Sequence, residues 1–255
     1  MLKIIVCFKW VIDEADIKVS GKSRELDLSR VAYKISDYDR NAIEEAVRLQ
    51  EQLGGSVVAV TVGPPTAKQS LKDALSRGPE KAVFVSDPAF DSLEPAQTAA
   101  ILAEVITKNL EYDLIICGEG SSDLYAQQVG PRLAEKLGIP CATYVEKIII
   151  KDKELIAERK MRDGIEVVSM PLPALVTVMP TINTPRIPSL KQVLGAAKKP
   201  VVNLSAKDLE GKYEPCLKTT SLLAATMERK RIKFTDDPQD IRKVVDALLK
   251  EGVIS

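Results

Sequence analysis

An alternation governs what this chain can fold into. Short, uninterrupted apolar runs rich in β-branched residues are separated by segments of helical period. Lys3–Cys7, Ser56–Val62, Lys81–Ser86, Tyr112–Cys117 and Leu175–Val178 read as strands. Tyr38–Leu53, Thr66–Arg77, Pro95–Leu110 and Leu124–Leu137 read as helices; the first carries Ile43, Ala46, Val47 and Leu49 on one face and stops at Gly54-Gly55. Strands that are apolar throughout are buried on both faces. The expected fold class is therefore α/β, with a mostly parallel, doubly wound sheet flanked by helices and built from right-handed βαβ units. Ligands in such sheets bind outside the carboxyl ends of the strands, where the strand order reverses. A site thus belongs to the segments that follow Cys7, Val62, Ser86 or Cys117.

Beyond Pro140 the pattern changes. Val145–Ile150 and Glu154–Lys160 flank Lys151-Asp152-Lys153 and predict a β-hairpin, with Glu166–Met170 as a further strand. A loop punctuated by prolines runs over 179–188, and Ser189 caps a short helix through Leu194. Residues 1–200 are expected to form the α/β domain, including the hairpin region 145–170 and the 179–188 loop. Residues 201–235 read as an extended arm and Asp236–Glu251 as a last helix with Ile241, Val244, Val245, Leu248 and Leu249 apolar. The arm reads either as a solvated tether or as a wrap around a partner that would bury Leu222, Leu223 and Met227, which have no evident core of their own; the 201–255 arm and helix are expected to pack on a partner subunit.

Composition removes several function classes. Acidic and basic residues balance at 36 each, which disfavours a general nucleic-acid or acidic-membrane binder. There is no histidine, so Ser-His-Asp and Cys-His catalysis, imidazole metal ligands and the commonest general base are all missing. Cys7, Cys117, Cys141 and Cys216 form no CxxC pair, and no metal site is expected. No apolar run reaches the length of a membrane span, and Met1–Cys7 enters a strand directly without a signal-peptide pattern, so the expected location is cytoplasmic.

Three segments carry candidate chemistry. Gly118–Pro131 follows a buried strand: Gly118, Gly120, Ser121, Ser122 and Asp123, with Leu124, Tyr125, Ala126, Gln127, Gln128, Val129 and Gly130 behind them. Small residues and a helix N-terminus suit an anion, and serine hydroxyls can donate to phosphate oxygens. An ordinary βα turn with Asp123 as N-cap accounts for the same residues, and both readings stay open. Ser36, Asp37, Tyr38 and Asp39 offer polar groups toward a nucleotide, or simply cap a helix through Ser36 or Asp37. In the 179–188 loop, Ile182 and Ile187 are apolar where exposure is expected, which fits a buried crossover or a rigid anchor for a partner.

Together these segments resemble, along the whole chain, the beta subunit of electron-transfer flavoproteins. Val6–Asp13 looks like that family's first strand and loop, Asn41–Leu49 like its first long helix, and Thr181–Arg186 with Lys198-Lys199 like its recognition loop and following basic turn. The Cys117–Gly130 string looks most like the FixA-type branch. The resemblance implies an adenine-nucleotide-binding, Rossmann-like fold paired with an alpha subunit that holds the electron-carrying FAD. A second adenine nucleotide, AMP or FAD, would sit in this chain at Cys7, Ser36–Asp39, Val62 and Gly118–Gly130. It further implies an acyl-CoA dehydrogenase-like partner recognised through Ile182, Asn183, Pro185 and Ile187. In electron-bifurcating members NADH and ferredoxin or flavodoxin join the partners. Val129 stands where AMP-type members have a threonine, and Asp123-Leu124-Tyr125-Ala126 replaces the bifurcating members' Asp-Gly-Asp-Thr; AMP against FAD stays open, leaning to FAD. No side chain is expected to catalyse acid-base chemistry, and NADH oxidation follows only if the second nucleotide is FAD. Two other readings compete: a stress-type nucleotide-binding module without redox function, and an ATP-pyrophosphatase-like enzyme. The latter wants a glycine-serine phosphate loop after the first strand, which residues 8–13 do not offer.

Overall fold

A computed structural model describes the chain except residues 22, 214, 215, 218, 226–230 and 255. It separates into two compact units, Met1–Lys18 with Asp27–Thr220, and Val19–Leu26 with Ser221–Ser255.

Chain order in the structure is β1 (Leu2–Cys7), β2 (Trp10–Ile12), β3 (Lys18–Val19), β4 (Leu26–Asp27), β5 (Tyr33–Ile35), α1 (Asp37–Leu53) and β6 (Gly55–Gly63). Next come α2 (Ser70–Ser76), β7 (Lys81–Ser86), α3 (Pro95–Asn109), β8 (Leu114–Gly118), α4 (Val129–Leu137) and β9 (Cys141–Lys151). The series closes with β10 (Glu154–Met161), β11 (Gly164–Pro171), β12 (Ala174–Val178), α5 (Leu190–Ala196), β13 (Val201–Leu204) and α6 (Pro238–Lys250).

In the larger unit nine strands form one sheet in the order β11-β10-β9-β12-β8-β1-β6-β7-β13. From β9 to β13 every neighbouring pair is parallel; β10 and β11 extend the sheet antiparallel. The Rossmann-like α/β expectation holds. Side chains alternate along each strand. Ile4, Val6, Ala59, Phe84 and Ile116 join Ile43 and Val47 of α1 on one face of the sheet. On the other face Ile5, Val60, Val83 and Ile115 join Leu102 and Ile106 of α3 and Leu133 of α4. The chain runs from β1 outward to β6 and β7, then crosses back so that β8 lies on the opposite side of β1. The order therefore reverses between β1 and β8.

Three expectations change. The helix expected from Leu124 begins at Val129. Tyr125 and Gln127 take left-handed φ of 46° and 57°, which a right-handed helix cannot contain. Asp123 accordingly does not cap α4; its carboxylate accepts the Leu124 N–H at 2.7 Å and meets Lys9 Nζ at 2.7 Å. Val201–Leu204, read as the start of an arm, is instead an edge strand parallel to β7. Trp10–Ile12, read as loop, pairs antiparallel with Tyr33–Ile35. The hairpin is as expected, and Asp152 and Lys153 turn it with φ of 50° and 69°.

In the smaller unit Glu25 bridges Leu223 antiparallel. The Asp237 carboxylate accepts the Gln239 N–H at 2.7 Å and caps α6. No residue of α6 is buried, and Ile241, Val245 and Leu249 form an exposed apolar stripe at four-residue spacing. Met227 lies outside the described residues.

Candidate functional site

The reversal between β1 and β8 brings two loops against the start of α1. Asp39 joins them. Its buried carboxylate accepts the Lys9 N–H at 2.8 Å, just past β1, and the Gly118 N–H at 3.2 Å, at the end of β8. Burial pushes its pKa up to about 7, against the pull of those two N–H groups. Ser36 occupies the N-cap position of α1 but makes no side-chain cap bond; its Oγ accepts the Ser122 N–H at 3.2 Å.

A cleft of about 350 Å³ opens above this junction, lined by Glu14, Asp37, Tyr38, Ser121, Ser122 and Tyr125 with Pro180 at its edge. The Tyr38 and Tyr125 rings meet at 5.1 Å between centroids and tilt by 37°. Lys34 Nζ sits within 3.3 Å of Asp13, Glu14 and Asp37, so the carboxylates at this end are offset by a shared cation. The Ser122 hydroxyl is buried and has no hydrogen-bond partner among the described residues. An orphaned hydroxyl beside two aromatic rings is a fit for a planar, oxyanion-bearing ligand.

Of the residues nominated from sequence, Asp37, Tyr38, Ser121, Ser122 and Tyr125 converge on the cleft. Cys7, Val62 and Val129 pack instead into the core on the α3/α4 side. The three glycines serve close packing. A Cβ on Gly118 would stand 2.5 Å from Asp39 Oδ1, one on Gly120 2.5 Å from the Tyr125 ring, and one on Gly130 2.4 Å from Thr177 Cγ2. Leu124, Ala126 and Gln128 are exposed, and Gln128 accepts from Arg132 Nε at 3.0 Å. Gln127 donates to Tyr144 Oη at 3.0 Å and to Glu119 at 3.2 Å. Glu14 and Pro180 were not nominated for a nucleotide, and Glu119 fell inside the nominated Gly118–Gly130 range with no role of its own. The first two come together with the cleft only through tertiary structure.

The 179–188 loop is held down through α1. Arg186 donates through Nε to Glu44 at 2.8 Å and through Nη1 to Glu51 at 2.7 Å, and Asn183 donates to Glu45 at 2.9 Å and to the Asn41 carbonyl at 3.0 Å. Burial acts to raise the Glu44 pKa, but Arg186 and Arg48 outweigh it and hold the carboxyl below its usual range. Ile182 is half-buried and packs against the core, whereas Ile187 is 94 % exposed, with Leu190 and Leu194 of α5 also exposed. Pro185 is half-buried. Lys199 of the basic turn points inward and donates to the carbonyls of Leu75, Gly78 and Pro79 at 2.7–3.1 Å.

Residues 25–209, well over half of the chain, match the electron transfer flavoprotein domain family. The chain belongs to the electron transfer flavoprotein family. Its general role is therefore electron transfer, in a family that binds FAD or AMP and works as a heterodimer with redox partners. The matched span of the electron transfer flavoprotein domain includes β8, the cleft-lining loop behind it and the 179–188 loop. No helix among the described residues is long and apolar enough to cross a membrane, and no group of three or more acidic or cysteine side chains among them could hold a metal ion.

Proposed function

We propose that this chain is the beta-type subunit of a heterodimeric electron transfer flavoprotein, and that the cleft between β1 and β8 holds an adenine nucleotide. One observation carries the reading: Ser122, whose hydroxyl is buried and has no hydrogen-bond partner among the described residues, lines a cleft at the strand-order reversal, where α/β sheets bind ligands. Ser121 and Ser122 would hold phosphate oxygens, and the Tyr38 and Tyr125 rings would frame a heteroaromatic ring. Val129, standing where AMP-type members have a threonine, favours FAD over AMP as that nucleotide, and the likeness of Cys117–Gly130 to the FixA-type branch favours an NADH-linked role with it. When bound, the flavin supplies the electron-carrying group; the chain supplies binding, distance and electrostatics.

The exposed stripe Ile241, Val245 and Leu249 on α6 supports an alpha subunit as the partner that covers it. For an acyl-CoA dehydrogenase-like partner, Ile187 with Leu190 and Leu194 is the better apolar contact than Ile182. The deciding experiment is to co-express the chain with its alpha subunit and count nucleotides per heterodimer. Two FAD molecules are expected. One FAD with one AMP keeps the site and changes the nucleotide. A heterodimer with no adenine nucleotide beyond the alpha subunit's flavin defeats the proposal.

A further inference from the structure

Glu119 stands at the end of β8 between Gly118 and Gly120, and its side chain is buried. Four groups converge on this residue. Its Oε2 accepts the Thr177 hydroxyl of β12 at 2.5 Å and the Tyr144 N–H of β9 at 2.6 Å. Its Oε1 accepts from Gln127 Nε2 at 3.2 Å, and its own N–H donates to the Val178 carbonyl at 3.0 Å. Gln127 and Tyr144 are also bonded to each other, and both hold left-handed φ of 57° and 58° without being glycine. Such conformations persist where the surroundings over-determine them.

β8 pairs with β12 through five residues in continuous register and does not need this carboxylate for that alignment, while in β9 the carboxylate satisfies the Tyr144 N–H where the register with β12 shifts. What the Glu119–Gln127 bond closes is the loop between them. Ser121, Ser122 and Tyr125 all lie inside that closed ring, and all three line the cleft. A carboxylate at this buried position carries a desolvation cost that an apolar side chain would not. We infer that Glu119 is a positioning residue for the adenine nucleotide, fixing the loop that presents Ser121, Ser122 and Tyr125 without touching the ligand. The inference rests on the nucleotide reading above.

The test uses the full chain co-purified with its alpha subunit, reading the release rate of its own adenine nucleotide by chromatography. In Glu119→Leu no acceptor is left for the Gln127 amide, the Tyr144 N–H or the Thr177 hydroxyl. Release should quicken at least about tenfold, the scale of one buried group left unsatisfied. Glu119→Gln keeps an oxygen for Tyr144 and Thr177 and offers an NH₂ that the Gln127 amide, turned over, can accept, and should return release to near the wild-type rate. Thr177→Val, which keeps the shape and removes one donor, should fall between the two. A merely structural role would lower the melting temperature of these variants and leave release unchanged. Unchanged release in Glu119→Leu, or release in Glu119→Gln as fast as in Glu119→Leu, overturns the positioning role. A wild-type chain that carries no adenine nucleotide overturns the proposed function itself.

Discussion

Two loops leave the same edge of the sheet from neighbouring strands, residues 119–128 after β8 and 179–189 after β12; the Lys9–Asp123 ion pair helps hold the first and the Asn183–Glu45 hydrogen bond the second, but their main anchors differ. The first hangs on buried carboxylates that accept from uncharged donors: Asp39 from two backbone N–H groups, and Glu119 from a backbone N–H, a hydroxyl and an amide. Burial raises the pKa of both. The second hangs on a guanidinium: Arg186 grips Glu44 and Glu51, and the charge it carries keeps those carboxyls ionised. The loop lining the cleft thus leans chiefly on two carboxyls whose pKa burial raises, Asp39 to about 7. The outward-facing loop is set by an ion pair that does not titrate near neutral pH.

The largest break in this comparison should come from Glu44→Ala. It strips Arg186 and Arg48 of the buried carboxylate they share, and should cost about 2–3 kcal/mol in urea unfolding, the scale for lost charge-assisted hydrogen bonds, since the guanidiniums left behind stay partly exposed. A loss under about 1 kcal/mol would mean that Glu51 alone holds the loop. The other anchor should show itself through pH. Asp39 keeps its proton in the folded chain up to about 7, whereas the unfolded chain loses it near the ordinary carboxyl value. Between those two pKa values the folded state binds more protons, so this residue's contribution to stability falls as pH rises. Wild-type stability measured against Asp39→Asn should therefore decline from about pH 4 to pH 7, by at most about 1.4 kcal/mol per unit. A difference that is flat, or that grows with pH, would show Asp39 ionised in the fold. The smallest effect separates two isoleucines of one loop. Ile182→Ala should cost about 1–2 kcal/mol for its half-buried side chain, while Ile187→Ala should stay within about 0.5 kcal/mol. Electron transfer with the proposed dehydrogenase partner should show the reverse order.

The parallel sheet was legible because its strands are buried on both faces and so carry unbroken apolar runs, and helix α1 because its period and its glycine stop agree. The stretch 124–128 misled because Leu124, Leu133 and Leu137 keep a roughly helical spacing, and nothing in a sequence announces that Tyr125 and Gln127 will take left-handed φ. Val201–Leu204 is too short to outweigh the Lys198-Lys199-Pro200 break before it; only the free edge of β7 makes it a strand. Within the site, Ser121, Ser122 and the 36–39 cluster were readable from strand ends and helix starts. Glu119 lay within the nominated 118–130 range, but its role was not readable, since a charged residue flanked by glycines looks solvated until Thr177 and Tyr144 arrive from distant segments and Gln127 folds back onto it.

The reversal of strand order also dictates when the cleft can exist. β1 meets β6 early in the chain, but its other edge stays bare until Leu114–Gly118 has been synthesised and threaded back beside it. Pro180, at the rim, comes later still. A ribosome-bound nascent chain thus carries an unprotected strand edge, exposed to mispairing, until residue 118 has emerged, and the lining of the cleft is complete only once Pro180 follows.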